Sequence, residues 1–377
     1  MNVMSQTGIT IGFLRRGYSP TGGVEGYLKG LAKGLRSEGH RVILFGTGEW
    51  PSTEWPGGEI LLCEGRNLTE YIAAVERHKK SSSVRVDVIL SVEKVPGCDL
   101  YRTDEGLHCS WMAQRSKSMT PWARLFQKIS PKHREKLRLE KELFNHSSTR
   151  RVISLSRKIS GEIRDIYGYP EERITLIRNG VPGRGSTSSE EKDRARKKLG
   201  ILSHEKIAIF VGTGWERKGL RYAIQAIEML RDPLVKLVVA GKGPEKKFAS
   251  PSVRFLGPVK EMFNVYSAAD LFLFPTLFDP FPLATLEALS AGLPVITTAA
   301  NGVSEIMTPG VHGEVVSESS DITALSEALR KWLTILYDPV SAEKTHALCS
   351  QLAAGFTLEQ NLRETLTVIR EVIAEQK

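Results

Sequence analysis

Long apolar runs are missing from this sequence, and no uncharged apolar segment approaches the roughly 20 residues needed to span a bilayer. The first apolar segment, Ile9 to Leu14, is only strand-sized, and its arginines follow it instead of preceding it, the wrong order for a secretory signal. Cysteine is scarce too: Cys63, Cys98, Cys109 and Cys349 have neither CxxC spacing nor the density of a disulfide scaffold, which points to a reducing compartment. No repeat of solenoid period, no low-complexity tract, and no RRM, KH or zinc motif is present. These absences leave a protein expected to be cytoplasmic, soluble or at most peripheral on a membrane.

What is present is an ordinary globular composition, 41% hydrophobic and 25% charged, in 377 residues, a length that suggests two domains. The net charge of +9 favours anionic partners: nucleotide phosphates, nucleic acid or an acidic membrane surface.

The stretch Ala269 to Glu305 organises the rest. Leu271 to Pro275 reads as a strand, Asp279 and Pro280 close the following loop, and Pro282 opens a short helix that Gly292 and Pro294 stop. Val295 to Thr298 is β-branched and re-enters a sheet. Between Asp279 and Glu305 the sole charged residue is Glu287, on a helix whose other side chains are almost all small or apolar. Desolvating an unpaired carboxylate costs several kcal/mol, so Glu287 should meet a polar partner in a cleft, although a rim carboxylate paired with lysine also fits the spacing. It stands roughly 6 Å along the helix axis from Leu283. The free N–H groups of Leu283 and Ala284 offer an anion site at the positive end of the helix dipole. A nucleotide diphosphate sugar, anionic in the middle with hydroxyls at both ends, matches that spacing.

Upstream, the chain opens as βαβ: Ile9 to Leu14, a helix with Val24, Leu28, Leu31 and Leu35 on one face, then Val42 to Phe45. Thr21, Gly22 and Gly23 stand at the helix start, where glycines admit a phosphate or a sugar to the backbone or simply make a tight turn. Val86 to Val92 is a further strand, and the loop after it concentrates Lys94, Asp99, Asp104, Glu105 and His108. At the carboxyl edge of a parallel sheet such a loop suits substrate, with Asp104 and Glu105 as acceptor-side candidates or, equally, solvated surface. Residues 114–144 are basic, with Trp122, Leu125, Phe126 and Ile129 able to share one helical face. That pattern suits an anionic membrane surface or a solvated helix packed by its aromatics.

Arg151 to Leu155 and Ile174 to Ile177 read as the last strands of the first half, and Gly183 to Lys192 has the most linker-like composition in the chain. The expected domains are therefore 1–182 and 183–356, with 357–377 crossing back to the first. The second half opens with Ile207 to Val211 and then GTGWERKGL. There Gly212 and Gly214 start a dinucleotide fingerprint, but Arg217 occupies the third glycine position. Arg217 and Lys218 at this strand-to-helix junction have the chemistry to neutralise a diphosphate, although ordinary surface charge also fits them.

Together, GGVEGYLKGLAKGLRSEGHRV, IRNGV, VGTGWERKGL, VVAGKGP, YSAADLFLFPT and DPFPLATLEALSAGLPVITT resemble the GT-B glycosyltransferases of family GT4 over essentially the whole chain. EKVPGCDLY, GWERKG and the basic segment before Phe144 look most like the lipopolysaccharide core glucosyltransferase I group. The resemblance implies an α/β architecture of two Rossmann-like, doubly wound parallel-sheet domains facing a central cleft, and metal-independent, cofactor-free transfer with retention. It places the ribose on Glu287 and the transferred sugar on Asp279. Arg217 and Lys218 would meet the leaving diphosphate, with Gly22 and Gly23 closing on it. The absence of any Asp-x-Asp triplet agrees with metal independence, since a basic pair can do a cation's electrostatic work. Two departures bear on sugar choice: Asp279 stands where the family usually has Glu, and Pro282 where Gly or another small residue is common.

The expected activity is transfer of a hexose, glucose from UDP-glucose, to a sugar of a lipid-linked glycan at the inner face of the cytoplasmic membrane. The competing readings are a nucleotide-sugar 2-epimerase, a GT4 enzyme with another donor and acceptor, and a non-enzymatic module that binds nucleic acid or membrane.

Overall fold

A computed structural model describes residues 8–20, 22–81, 84–145, 149–183 and 185–376, so Thr21 lies outside the described residues. The chain divides into two compact units, 1–112 with 119–178 and 359–377, and 113–118 with 179–358.

The first unit begins β1 (Thr10–Leu14), α1 (Gly23–Ser37), β2 (Arg41–Gly46), β3 (Glu59–Leu62), α2 (Leu68–Lys80), β4 (Val88–Ser91) and β5 (Leu100–Arg102). Three helices follow, α3 (His108–Lys117), α4 (Pro121–Ile129) and α5 (Pro131–Leu143), then β6 (Arg151–Ser154), α6 (Arg157–Tyr167) and β7 (Ile174–Leu176). All pairings are parallel, in the order β3-β2-β1-β4-β5-β6-β7. A parallel sheet covered on both faces needs nearly continuous apolar strands, and Val42 to Phe45 and Val88 to Leu90 are all buried.

The second unit runs α7 (Ser189–Leu199), β8 (Lys206–Val211), α8 (Leu220–Leu230), β9 (Val235–Ala240), β10 (Val253–Gly257), α9 (Met262–Ser267) and β11 (Leu271–Phe274). It continues through α10 (Leu283–Ser290), β12 (Val295–Thr298), β13 (Gly313–Val316), α11 (Ile322–Ile335) and α12 (Pro339–Ala354). Its sheet is also wholly parallel, in the order β10-β9-β8-β11-β12-β13. Successive strands run outward from β8 on one side and from β11 on the other, so the strand order reverses between them. Loops at such a switch point part, which leaves a crevice at the carboxyl ends of the two strands.

The last helix, α13 (Leu358–Ala374), belongs almost wholly to the first unit. Leu362 fills space that a side chain on Gly34 of α1 would occupy, and Asn361 Nδ2 donates to the Arg178 carbonyl at 2.7 Å.

Three expectations are corrected. The stretch Gly183 to Lys192 is linker only in its first part, because Ser188 and Glu191 form a reciprocal capping box that starts α7 at Ser189. The loop after β4 contains β5, three residues paired with both β4 and β6. Pro282 is the N-cap of α10 and not a residue of its first turn, whereas Gly292, at φ 87°, ends the helix as expected.

Candidate active site

Two loops meet at the β8/β11 crevice. The one after β8 carries Arg217 and Lys218, and the one after β11 carries Asp279. Leu277 N–H donates to the Arg217 carbonyl at 2.9 Å, and the Thr276 hydroxyl donates to the same oxygen at 3.2 Å. That closeness depends on Gly219, the N-cap of α8 at φ 80°, because a Cβ there would lie 1.9 Å from the Pro275 carbonyl oxygen. On its other side the Asp279 loop is held by the backbone around Asn301: Asp279 N–H donates to the Ala300 carbonyl, and Gly302 N–H to the Asp279 carbonyl.

This backbone presents the Asp279 carboxylate to both cations at once. Arg217 Nη1 and Lys218 Nζ each reach Asp279 Oδ2 at 3.1 Å, and Arg217 Nη1 also donates to the Phe278 carbonyl at 2.6 Å. Lys218 lies in addition over the Phe274 ring, 4.7 Å from its centroid. Burial pushes the Asp279 carboxyl up, but Lys218 and Arg217 outweigh it and hold it below its ordinary value. Burial lowers the Lys218 ammonium, against the pull of Asp279. The trio carries two positive charges against one negative, and so retains a positive surplus.

At α10 the first internal hydrogen bond runs from Thr285 N–H to the Pro282 carbonyl, so the Leu283 and Ala284 amides precede the helical ladder. Glu287, half-buried one turn on, accepts a 2.8 Å hydrogen bond from the Tyr266 hydroxyl. Burial raises its carboxyl above the ordinary range, and the Tyr266 hydrogen bond offsets only part of that. The polar partner expected from the sequence is therefore Tyr266, and among the described residues no lysine or arginine pairs with Glu287.

Asn301 was not singled out in the sequence. Its side chain, wholly buried, donates to Thr285 Oγ1 (3.0 Å) and Thr297 Oγ1 (2.9 Å) and accepts from Val303 N–H (2.9 Å). It ties α10 and β12 to the backbone that aims Asp279. An asparagine among Thr, Ala and Gly just beyond a β-branched strand was the available signal.

In the first unit the sequence-selected residues separate. Gly22 is the N-cap of α1 and Gly23 its first residue, but the Glu25 carboxylate folds back on Gly22 so closely that a Cβ there would lie 1.8 Å from Glu25 Oε2. Glu105 lines a cavity of about 680 Å³ at the carboxyl edge of the sheet. Asp104 does not: it neutralises Arg102, a fully buried guanidinium stacked 3.5 Å from the Tyr27 ring centroid. That structural pairing accounts for its charge without an acceptor.

Two all-parallel, doubly wound units with a charged crevice at a switch point define a GT-B glycosyltransferase fold. Residues 205–334, which contain this crevice, match the family described as Glycosyl transferases group 1. Over 338 residues the chain is 26% identical to the lipopolysaccharide glucosyltransferase WaaG of Escherichia coli, covering 84% of this chain and 87% of that one. The crystal structure of WaaG, a glycosyltransferase involved in lipopolysaccharide biosynthesis, superposes with a TM-score of 0.79 at 23% identity, covering 95% of this chain and 99% of that one. Anabaena Alr3699/HepE, crystallised with UDP-glucose, superposes with a TM-score of 0.73 at 20% identity, covering 96% of this chain and all of that one.

Proposed function

We propose that the protein is a retaining, metal-independent hexosyltransferase that moves glucose from UDP-glucose to a sugar of a lipid-linked glycan such as lipopolysaccharide core. The observation that carries this reading is the convergence of Arg217 and Lys218 on one Asp279 oxygen at the switch point. In this reading the diphosphate of the donor takes the surplus positive charge, with the Leu283 and Ala284 amides completing its shell. Glu287, oriented by Tyr266, accepts from the ribose hydroxyls, and Asp279 accepts from hydroxyls of the transferred sugar. The bond from the anomeric carbon to the β-phosphate oxygen breaks, and its electron pair leaves with the diphosphate. Arg217 and Lys218 stabilise the charge that grows there, doing the work of a metal ion. The acceptor hydroxyl attacks from the leaving-group face and passes its proton to a departing phosphate oxygen, which retains configuration.

The setting of the reaction is the cytoplasmic face of a membrane. Among the described residues no helix is long and apolar enough to cross one. In α4, however, Trp122 is 73% and Phe126 66% exposed, with Leu125 and Ile129 beside them, while the polar Gln127 turns inward and donates to the Met112 carbonyl. A helix with its apolar face outward among lysines and arginines suits an anionic lipid surface.

The test is incubation with UDP-glucose and a lipid-linked core glycan lacking its first hexose, followed by NMR of the product. An α-linked glucose formed in the presence of a chelator is expected. Conversion of the donor alone to an epimer, or a β-linked product, contradicts the reading.

A further inference from the structure

The 680 Å³ cavity of the first unit is built by the loops that follow five neighbouring strands: β1, β2, β3, β4 and β5. Its lining carries five cations and four carboxylates, but among the described residues the cations are not all paired with them. Arg15 is consumed within the protein, donating to Glu25 Oε1 at 2.7 Å and to Glu93 Oε1 at 3.1 Å. Among the described residues, by contrast, no carboxylate lies within 4.0 Å of the side-chain nitrogens of Arg16, Arg66 or Lys136, which line the same cavity. Lys94 is a fourth cation, 7% exposed, between Glu140 at 3.6 Å and Glu105 at 3.9 Å, distances that leave its donors unspent.

The position of Lys94 is constructed. Glu140 is wholly buried and accepts from the His108 and Cys109 amides at the start of α3 and from the Tyr167 hydroxyl at 2.6 Å. A carboxylate fixed by three donors stands 3.6 Å from the Lys94 ammonium and anchors it at the cavity wall. Glu49 and Glu64 on the opposite wall each accept a backbone N–H and keep further acceptor capacity for hydroxyl groups.

Resting on the transferase reading, we propose that this cavity seats an acceptor sugar bearing an anionic group, a phosphate or a carboxylate. Arg16, Lys94 and Lys136 receive the anion, and Glu49 and Glu64 receive sugar hydroxyls. A neutral sugar would leave Arg16 and Lys136 without an ion-pair partner among the described residues, so the cavity selects its acceptor by charge as well as by shape.

The test is calorimetric titration of the full chain with glucose 6-phosphate, glucuronate, glucose and inorganic phosphate, each repeated on the Arg16→Ala/Lys136→Ala double variant. Among the described residues neither side chain has an ion pair to lose, so the fold should persist, and a Tm measurement checks this. At least one anionic sugar is expected to bind tenfold or more tighter than both glucose and phosphate, and to lose that advantage in the double variant. The stronger of the two anionic sugars identifies the group. UDP-glucose affinity, read in the same series, is expected to be unchanged by the double substitution. Equal binding of glucose and both anionic sugars, phosphate binding as tightly as the sugar phosphate, or an unaffected double variant overturns the proposal. Wild-type protein that binds the anionic sugar but not UDP-glucose supports the cavity and refutes the donor reading instead.

Discussion

Each unit places an arginine just beyond its first strand, and the two arginines have opposite surroundings. Arg15, after β1, faces Glu25 and Glu93, with Glu105 at 3.9 Å, so carboxylates outnumber the cation. Arg217, after β8, shares a single carboxylate with Lys218, so cations outnumber the acid. A self-neutralised cluster is internal structure, whereas one with positive charge left over is prepared for an anionic ligand. The comparison separates binding from bracing among residues that look alike in sequence.

The sharpest way to break the comparison is to remove charge on each side. Lys218→Ala should lower kcat/KM for donor turnover by about 10²–10³, the usual consequence of deleting one preorganised charge stabiliser, with little change in Tm. Arg15→Ala should do the reverse. It strands Glu25 and Glu93, both largely buried, and should cost about 3 kcal/mol of stability in urea unfolding while UDP-glucose affinity persists. Equal losses of stability from both substitutions would erase the distinction.

A smaller effect sharpens it. The Glu287 carboxyl lies above its usual 4.5, so the folded state binds that proton more tightly than the unfolded chain does. Its contribution is favourable below about 4.5 and is lost as pH rises through the folded value. Glu287→Gln should therefore raise Tm slightly at neutral pH and raise donor KM about tenfold. It should also abolish the acidic limb, above pH 4.5, of the donor-binding profile, which a titration of KM against pH would follow. The smallest effect concerns α4: Trp122→Ala/Phe126→Ala should cut co-sedimentation with anionic vesicles several-fold and leave UDP-glucose affinity unchanged.

Much of this was legible in the residues. Leu271 to Phe274 and Val295 to Thr298 announce themselves as buried strands because a doubly covered parallel sheet demands unbroken apolar runs, and Gly292 marks the end of α10 through its left-handed backbone. The convergence of Arg217 and Lys218 on Asp279 combines a motif with a topology, since β8 and β11 become neighbours only once the strand order is known. What stayed hidden involves charges with long-range partners. Arg102 is wholly buried in a three-residue strand, and nothing local in Leu-Tyr-Arg shows that Tyr27 and Asp104 will enclose it. Glu140 reads as one of many charges on a basic helix, yet it caps α3 from some thirty residues away. The capping box at Ser188 was readable, but the glycine- and serine-rich composition around it suggested a linker.

The most direct test of the central claim is calorimetric titration of UDP and of uridine into the wild-type chain and the Arg217→Ala/Lys218→Ala double variant. If the surplus charge beside Asp279 holds the donor diphosphate, UDP affinity falls by at least about a hundredfold while uridine binding is unchanged. UDP binding undiminished in the double variant, or a loss shared equally by uridine, contradicts it.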